Sequence, residues 1–376
     1  MPKVNPINWM IVLAAILGFF LAIQMMGQGL QELGKDMTLV TNGVSTPYIG
    51  LFIGLLTTAI LQSSSTTTAL AVTAVASGSI ALDAAIPIIL GANVGTTITS
   101  TIVAFGFITK SKEFRRAVSA AMIHDMFNIL GVLIIFPIEL RYHFLKRMSS
   151  YLSHLIHIGD SNGNSSIWLS QSLKSIGQFV LELTGPIPML LIAIMLLFAS
   201  IKQIGKLSYK QLVGDRQAVL KNVIFKNPLR AFGLGLGITS IVQSSSLTSS
   251  LIVPLVATGK VRLDRAFYFL MGSNIGTTIT ALIAALFSSE AAMSLAIAHF
   301  LFNTMAVLLF AGIPFFGKIP LYLAERLGYL MFRYRISAFA YITLAFFAIP
   351  FGLIYLSNGD QPQEESAIEQ VEAAPR

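Results

Sequence analysis

Two copies of the motif Gln-Ser-Ser-Ser are the residues of this chain best suited to bind a small ion. They occupy positions 62–65 and 243–246. Serine hydroxyls donate hydrogen bonds to an anion and offer oxygen atoms to a cation, and the glutamine amide adds both kinds of group. A helix that begins at such a motif adds free backbone N–H groups and the positive end of its dipole. The candidate binding residues are Gln62, Ser63, Ser64, Ser65, Gln243, Ser244, Ser245 and Ser246.

The alternative for these hydroxyl groups is a structural role. Serine and threonine in membrane helices commonly bond to a carbonyl of the preceding turn or join neighbouring helices. Such packing accounts for scattered hydroxyls, but it gives no reason for the same glutamine before both serine runs. The repetition of the whole motif therefore favours a binding role.

A second motif, Asn-(Val/Ile)-Gly-Thr-Thr-Ile-Thr, also occurs twice, at residues 93–99 and 274–280. Glycine lets the backbone turn or approach another chain segment closely, and the Asn and Thr oxygens suit a hard monovalent cation. Helix packing alone is the competing explanation for the glycine. We predict that this motif supports the ion site through Asn93, Gly95, Thr96, Asn274 and Gly276.

Asp125 is the only acidic residue well inside a long apolar stretch, at 117–137. An ionisable group at membrane depth is costly and indicates function by default. The competing explanation pairs Asp125 with His124 or with the arginines at 115 and 116 near the membrane surface. Its counterpart in the second half is Phe300. We expect the two histidines, His124 and His299, to be structural donors rather than proton carriers.

The elements that carry these residues form an internal repeat. Positions 62 and 243 are as far apart as positions 93 and 274, and the histidine motif recurs with a slightly shorter spacing. The connection before the histidine is basic in the first copy, at 110–116, and reads Ser-Ser-Glu in the second, at 288–290. This difference in charge predicts opposite sides of a membrane. Inverted-topology repeats interrupted at matching positions are typical of secondary transporters, although a duplicated scaffold without a site is the alternative.

The composition fits this interpretation. Of 376 residues 55% are hydrophobic and 11% are charged, against about 25% charged in soluble domains. This excludes a soluble globular enzyme, and the absence of cysteine excludes disulfides and thiolate sites. The net charge of +8 arises from basic residues in short loops, which the positive-inside rule explains without nucleic acid. The clearest apolar segments are 9–24, 117–137, 186–201, 293–310 and 336–356.

The sequence predicts an all-α polytopic membrane protein with two inverted-topology repeats and broken helices or re-entrant hairpins at the centre. The stretch 51–77 consists of two apolar halves too short to cross about 30 Å of hydrocarbon, so it predicts a hairpin or a broken helix. The basic stretches 110–116 and 202–230 predict cytoplasmic loops, and the stretch 141–184, with a polar core at 160–166, predicts a loop on the other side.

The predicted domain organisation follows from these segments. It comprises 1–46 (first transmembrane helix and loop), 47–140 (first repeat), 141–227 (polar loop, linking transmembrane helix and basic cytoplasmic loop), 228–316 (second repeat), 317–357 (C-terminal helices) and 358–376 (an acidic tail, predicted to be disordered).

These residues resemble the type II sodium/phosphate cotransporter family over roughly 47–137 and 228–310. The paired Gln-Ser-Ser-Ser motifs carry the resemblance, together with Ala-Ile-Pro-Ile-Ile-Leu-Gly-Ala-Asn and the following Gly-Thr-Thr, Glu-Phe-Arg-Arg-Ala at 113–117, and His-Asp-Met-Phe-Asn at 124–128. The resemblance implies cotransport of sodium and inorganic phosphate into the cell by alternating access. It implies no enzyme activity and no cofactor besides sodium as co-substrate.

The resemblance also implies residue roles. The two Gln-Ser-Ser-Ser motifs take the phosphate-binding role, and one sodium falls at Gln243, Ser244, Thr277 and Thr280. Asp125 matches the aspartate linked to the electrogenic sodium, with Asn128 one turn along. The chain departs from animal members at Phe107 and Lys110, where they carry a Gln and an Asp associated with another cation.

The segment 141–184 lacks the cysteines of animal relatives, so the chain resembles a bacterial member and is expected as a multi-pass protein of the bacterial inner membrane. Its expected partners are inorganic phosphate, Na⁺ and the lipid bilayer, and the sequence leaves a homodimer open. The hydroxyl chemistry alone leaves sulfate, arsenate or a carboxylate open as cargo. A membrane enzyme with Ser64 or Ser245 as nucleophile is disfavoured, because no base and orienting acid recur beside these serines. A passive channel is the remaining alternative.

Overall fold

The computed structural model describes residues 6–36, 46–159, 167–212, 227–286 and 288–359, and every regular element within these ranges is a helix. Seven segments in this part of the chain are long and apolar enough to cross a membrane. They are Met10–Leu33, Leu82–Phe105, Ser111–Tyr142, Pro186–Leu207, Leu263–Ala285, Glu290–Gly312 and Arg335–Leu356. The predicted all-α polytopic membrane fold is confirmed.

The described helices are numbered in chain order. In the first part of the chain they are α1 (Pro6–Asp36), α2 (Pro47–Leu61), α3 (Ser64–Ala76), α4 (Leu82–Gly95), α5 (Ile98–Phe105), α6 (Ser111–Tyr142), α7 (Phe144–Gly159), α8 (Ile167–Thr184) and α9 (Pro186–Leu212). The second part comprises α10 (Pro228–Val242), α11 (Ser245–Ala257), α12 (Leu263–Ala285), α13 (Glu290–Gly312), α14 (Pro314–Arg333), α15 (Arg335–Ile342), a π-helical turn (Thr343–Ala348) and α16 (Ile349–Gly359).

The stretch 51–77 is interrupted, as the prediction of a hairpin or a broken helix requires. Helix α2 has 15 residues and α3 has 13, which is about 22 Å and 20 Å at 1.5 Å per residue, short of the hydrocarbon thickness. Helices α10 and α11 repeat these lengths and are broken at the matching position. Both α2 and α10 begin with proline after a capping side chain, Thr46 or Asn227, whose oxygen accepts a backbone N–H of the first turn.

Glycines join each short helix to the next long one. Gly54 of α2 faces the Ile88 carbonyl of α4 so closely that a Cβ atom would collide with it, and Gly91 of α4 faces the Leu51 carbonyl in the same way. The second copy repeats this contact between α10 and α12 at Gly235 and Gly272. The helix backbones therefore touch, which fixes the position of each short helix against a full membrane span.

The two copies interlock instead of packing as separate units. Helix α6 of the first copy packs on α11 of the second, and α13 of the second copy packs on α3 of the first. One difference breaks the equivalence, because α4 and α5 are separate helices interrupted at Thr96 and Thr97, whereas α12 runs unbroken through the matching positions.

The segment 141–184 differs from the predicted loop. Its described residues form α7 and α8, and α7 packs against α13, so much of this segment is structured. Helix α9 also continues past residue 202, where a loop was expected, because Ile201, Ile204 and Leu207 recur on one buried face. The polar core 160–166, the rest of the basic segment at 213–226 and the acidic tail at 360–376 lie outside the described residues.

The glycine contacts predict a position-specific effect on stability. Gly235→Ala places a methyl group against the Phe269 carbonyl, whereas Gly233, two residues earlier in α10, has no neighbouring atom within 4 Å of such a group. We expect Gly235→Ala to cost about 1–3 kcal/mol, the usual range for overpacking, and to lower the melting temperature in detergent. Gly233→Ala is the matched control and should melt like the parent chain. Equal melting temperatures for both variants would contradict backbone contact at Gly235.

Candidate ion site at the helix breaks

Gln62 and Gln243 form the breaks between the paired short helices. Both residues adopt left-handed backbone conformations, with φ of 52° and 54°. Such a conformation costs a non-glycine residue about 1–3 kcal/mol, so the surrounding contacts must hold it. Each glutamine ends one helix and turns the chain directly into the next.

The next serine starts the following helix. The Ser63 hydroxyl accepts the Thr66 backbone N–H at 3.3 Å, and the Ser244 hydroxyl accepts the Leu247 N–H at 3.3 Å. These side chains satisfy one free N–H at the start of α3 and of α11. The first serine of each run is therefore a helix cap, and the second and third are free to contact the other copy.

The two motifs meet through reciprocal hydrogen bonds. The Ser65 hydroxyl donates to the Gln243 carbonyl at 2.9 Å, and the Ser246 hydroxyl donates to the Gln62 carbonyl at 3.0 Å. The hydroxyls of Ser64 and Ser245 face each other at 3.5 Å between these two bonds. Each motif therefore gives the other the same contact that it receives.

The meeting point is suited to an anion. Ser64, Ser65 and Ser245 are almost completely buried, and Ser64 and Ser245 are the first residues of α3 and α11. Two helix N-termini therefore approach each other, and their dipoles place positive ends at the same point. An anion beside them relieves this repulsion and accepts hydrogen bonds from the hydroxyls.

The two asparagines of the second motif hold the copies together. The Asn274 Oδ1 atom accepts from His124 Nε2 at 2.9 Å, and its Nδ2 donates to Asn128 Oδ1 at 2.7 Å. In the matching contact, Asn93 Oδ1 accepts from His299 Nε2 at 3.4 Å and from Asn303 Nδ2 at 3.2 Å. Each asparagine therefore bonds to the histidine helix of the other copy.

The remaining residues of the second motif differ in what their side chains or backbones contact. Gly95 and Gly276 pack against α2 and α10, respectively, which is the packing role weighed as the alternative. The Thr96 and Thr277 hydroxyls donate to carbonyls one turn back, at 2.8 Å and 3.0 Å. The Thr280 hydroxyl is buried without a hydrogen-bond partner.

Asp125 is completely buried and contacts a helix outside the repeats. The Tyr341 hydroxyl of α15 donates to its Oδ2 atom at 2.9 Å, while its Oδ1 atom has no hydrogen-bond partner. Thr97 and Thr101 lie beside the same carboxylate, and the Thr101 hydroxyl is also buried without a partner. The Thr97 hydroxyl donates to the Val94 carbonyl at 2.9 Å, so the free oxygens are Asp125 Oδ1 and the Thr101 hydroxyl, and both are suitable ligands for a small cation.

The expected alternative partners of Asp125 lie elsewhere. His124 bonds to Asn274 and faces the Ser100 hydroxyl at 3.4 Å from Nδ1. Arg115 lies over the ring of Tyr329, 5.4 Å from its centroid. A snorkelling ion pair therefore does not explain Asp125.

The expected sodium residues fall into separate groups. Asn128 is engaged by Asn274, whereas Asp125 bonds to Tyr341, although the two lie one turn apart on α6. Within the described residues no hydrogen bond joins Gln243 or Ser244 to Thr277 or Thr280. Of the two departures from the animal pattern, Lys110 pairs with Glu113 at 3.5 Å and Phe107 packs against the core.

The sequence analysis did not identify Tyr341 as a residue of the ion site. It is one of ten tyrosines and stands in an apolar segment more than 200 positions from Asp125, so no local pattern marks it.

Most of the chain is similar to known membrane transport proteins. Residues 19–159 and 195–358 match a family model described as Na+/Pi-cotransporter. Sodium-dependent phosphate transport protein 2B from Homo sapiens is 29% identical, over 93% of this chain and 65% of that protein. Protein 2A from Rattus norvegicus is 30% identical over 85% of the chain and 61% of its own length, and 2B from Bos taurus is 31% identical over 84% and 59%. The chain spans less than two thirds of the length of these relatives, and no solved structure matches it significantly.

The asparagine contacts predict unequal effects of two equivalent substitutions. Asn274→Ala leaves the buried His124 donor and Asn128 acceptor unpaired, at about 1–3 kcal/mol for each lost partner. Asn93→Ala removes longer contacts and should destabilise the protein less. Thermal unfolding of both purified variants measures the difference, and an equal or reversed order would contradict the network described for Asn274.

Proposed function

Since this chain belongs to the Na+/Pi-cotransporter family, we propose that it carries inorganic phosphate into the cell together with sodium by alternating access. The observation that carries this proposal is the reciprocal contact of the two Gln-Ser-Ser-Ser motifs, with Ser64 and Ser245 facing each other. A tetrahedral oxyanion needs several donors from different directions, and two converging helix starts with their hydroxyls supply them.

The charges at the two ends of the fold support inverted repeats. A cavity of about 610 Å³ joins the start of α6 to the α11–α12 turn and is lined by Lys112, Arg115, Arg116 and Arg262, with Glu325 as its acidic residue. The matching positions, the α3–α4 turn and the residues before α13, line another cavity with Ser77, Ser288 and Ser289, where Lys174 is the charged residue. The two equivalent cavities therefore carry unequal positive charge. By the positive-inside rule, the cavity lined by Lys112, Arg115, Arg116 and Arg262 faces the cytoplasm.

Inverted repeats also supply a mechanism for alternating access. Two copies that occupy unequal surroundings can exchange their conformations and thereby open the central site to the other side. The unbroken α12 and the interrupted α4–α5 pair are one such inequality. Movement of one copy against the other would separate the hydroxyl bonds between Ser65, Ser246 and the glutamine carbonyls.

We assign sodium, as co-substrate, to two regions. One comprises Gln243, Ser244, Thr277 and Thr280, where the free Thr280 hydroxyl supports the assignment. The other comprises Asp125 with Asn128, where the free Oδ1 atom of Asp125 and the adjacent Thr97 and Thr101 support it. Asn128 would have to release Asn274 before its oxygen binds an ion.

The proposed setting is the inner membrane of a bacterium, and the proposed activity is transport, not enzyme catalysis. Sulfate, arsenate or a carboxylate remains the alternative cargo, because hydroxyls and backbone N–H groups bind any small oxyanion. Competition by each anion against labelled phosphate distinguishes these cargoes.

The proposal predicts sodium-dependent phosphate uptake that needs both facing serines. In proteoliposomes, labelled phosphate should accumulate with sodium and not with choline. Ser64→Ala and Ser245→Ala should each weaken phosphate binding about tenfold or more, since a hydrogen bond to a charged group contributes about 1.5–3 kcal/mol. Ser175→Ala on the exposed face of α8 is the control. Uptake that persists unchanged in choline would refute sodium coupling, and unimpaired serine variants would refute the site.

Asp125 predicts the electrical character of transport. Asp125→Asn keeps the shape of the side chain and an acceptor for Tyr341, but it removes the negative charge from the proposed cation site. We expect the charge moved per phosphate to fall while phosphate still binds, as measured by parallel current and tracer flux. Tyr341→Phe keeps the carboxylate and should keep the current. An undiminished current in Asp125→Asn would contradict the assignment.

A further inference from the structure

One cavity opens onto both Gln-Ser-Ser-Ser motifs and has α9, a helix outside the two copies, as its third wall. Its volume is about 490 Å³, within the usual range of small-ligand sites. The polar lining from the motifs and their helices consists of Gln62, Ser63, Thr66, Ser244, Ser246 and Ser250, and α5 adds Thr99. The cavity therefore leads directly to the proposed phosphate site.

Two lysines of α9 supply the charge of this cavity. Lys202 and Lys206 lie one turn apart on the same face of α9, and the residues that line the cavity include no aspartate or glutamate. Within the described part of the chain, neither lysine forms a salt bridge. The Lys202 ammonium group lies 5.9 Å from the ring centroid of Phe198, which also lines the cavity. The cavity thus carries two positive charges that no described carboxylate compensates.

Helix α9 is held close to the second motif. Gly205 lies between the lysines, and a Cβ atom on it would lie 3.2 Å from the Val242 carbonyl oxygen and 3.8 Å from Ser244 Cβ. The absence of a side chain at this position lets α9 approach the helix break closely. Ile201 and Ile204 are buried on the adjacent face and hold the helix in place. The lysine stems therefore start beside the motif, at a position fixed by packing.

A free hydroxyl lies in the same lining. The Thr99 hydroxyl is buried and has no hydrogen-bond partner. Buried polar atoms are rarely left unpaired unless a water or a ligand completes them. Together with the two lysines, this group marks the cavity as a place where an anion or its water shell is held.

We propose that Lys202 and Lys206 form a cationic subsite that captures the oxyanion beside the serine motifs before it enters, or after it leaves, the site between them. The identification of the oxyanion as phosphate rests on the proposed function. Neither Gln-Ser-Ser-Ser motif contains a charged residue, so the linking helix adds full positive charges to the partial charges of the two helix N-termini. A cleft lined by one sign of charge raises the local concentration of the opposite ion by about 10- to 1,000-fold.

The subsite is tested by the double variant Lys202→Gln, Lys206→Gln, assayed as full-length protein in neutral phosphatidylcholine vesicles. We expect the KM for phosphate to rise about tenfold, with little change in the maximal rate or in the KM for sodium. The double Lys→Arg variant should restore a near-parental KM because it keeps both charges. Lys260→Gln, an exposed charge in the α11–α12 turn, is the matched control and should change nothing.

Ionic strength and lipid composition separate this role from a simple membrane anchor. The phosphate KM of the parent chain should rise with added choline chloride, and that of the double Lys→Gln variant should rise less. If the lysines only bind lipid headgroups, activity will instead depend on added anionic lipid and the phosphate KM will stay unchanged in neutral vesicles. That outcome would overturn the subsite.

The same measurements keep this inference distinct from the proposed function. A raised phosphate KM in a transporter that proves independent of sodium would support the subsite and refute sodium coupling. Sodium-coupled uptake with an unchanged phosphate KM in the double Lys→Gln variant would refute the subsite and support sodium coupling. A parent chain that neither binds nor transports labelled phosphate would overturn both.

Discussion

Every polar backbone group at membrane depth needs a hydrogen-bond partner, and this constraint shapes the centre of the molecule. The breaks at Gln62 and Gln243 release carbonyl groups that no helix satisfies. Each carbonyl is instead satisfied by a serine of the other copy, Ser246 or Ser65. Neither break is satisfied in this way by its own copy, so the site requires both. The hydrogen bonds that satisfy the carbonyls at the two breaks are also the ones that bring the candidate binding groups together.

The rest of the structure supports this contact. Glycine contacts such as those at Gly54 and Gly235 press each short helix against a full span, so the breaks are held at a fixed position. The exchanged asparagine contacts bind the histidine helices of each copy to the other copy. Packing and hydrogen bonding therefore both cross the boundary between the repeats, and the two copies behave as one interlocked core.

Some functional side chains are present in only one copy or lie outside both copies, and such differences can give transport a direction. Asp125 has Phe300 as its counterpart, and its partner Tyr341 comes from a helix that belongs to neither copy. Helix α9, with Lys202 and Lys206, approaches the second motif through Gly205. The two copies thus share the neutral hydroxyl groups, whereas the negative charge of Asp125 is present in the first copy alone and the positive charges of Lys202 and Lys206 come from a helix outside both copies.

The sequence by itself determined the helical membrane fold, the two copies and the interruption within 51–77. These follow from segment length, hydropathy and an exact repetition, all of which are local or periodic properties of a chain. Only the tertiary structure decided that Gly95 packs, that Asn128 is engaged by Asn274, and that Tyr341 and two lysines of a linking helix reach the candidate sites. Such contacts join positions far apart in the chain, and their geometry depends on how whole helices pack, which no local pattern records. The segment at 141–184 shows a related limit, because the amphipathic pattern of α7 indicates a helix but does not tell that this helix packs against α13.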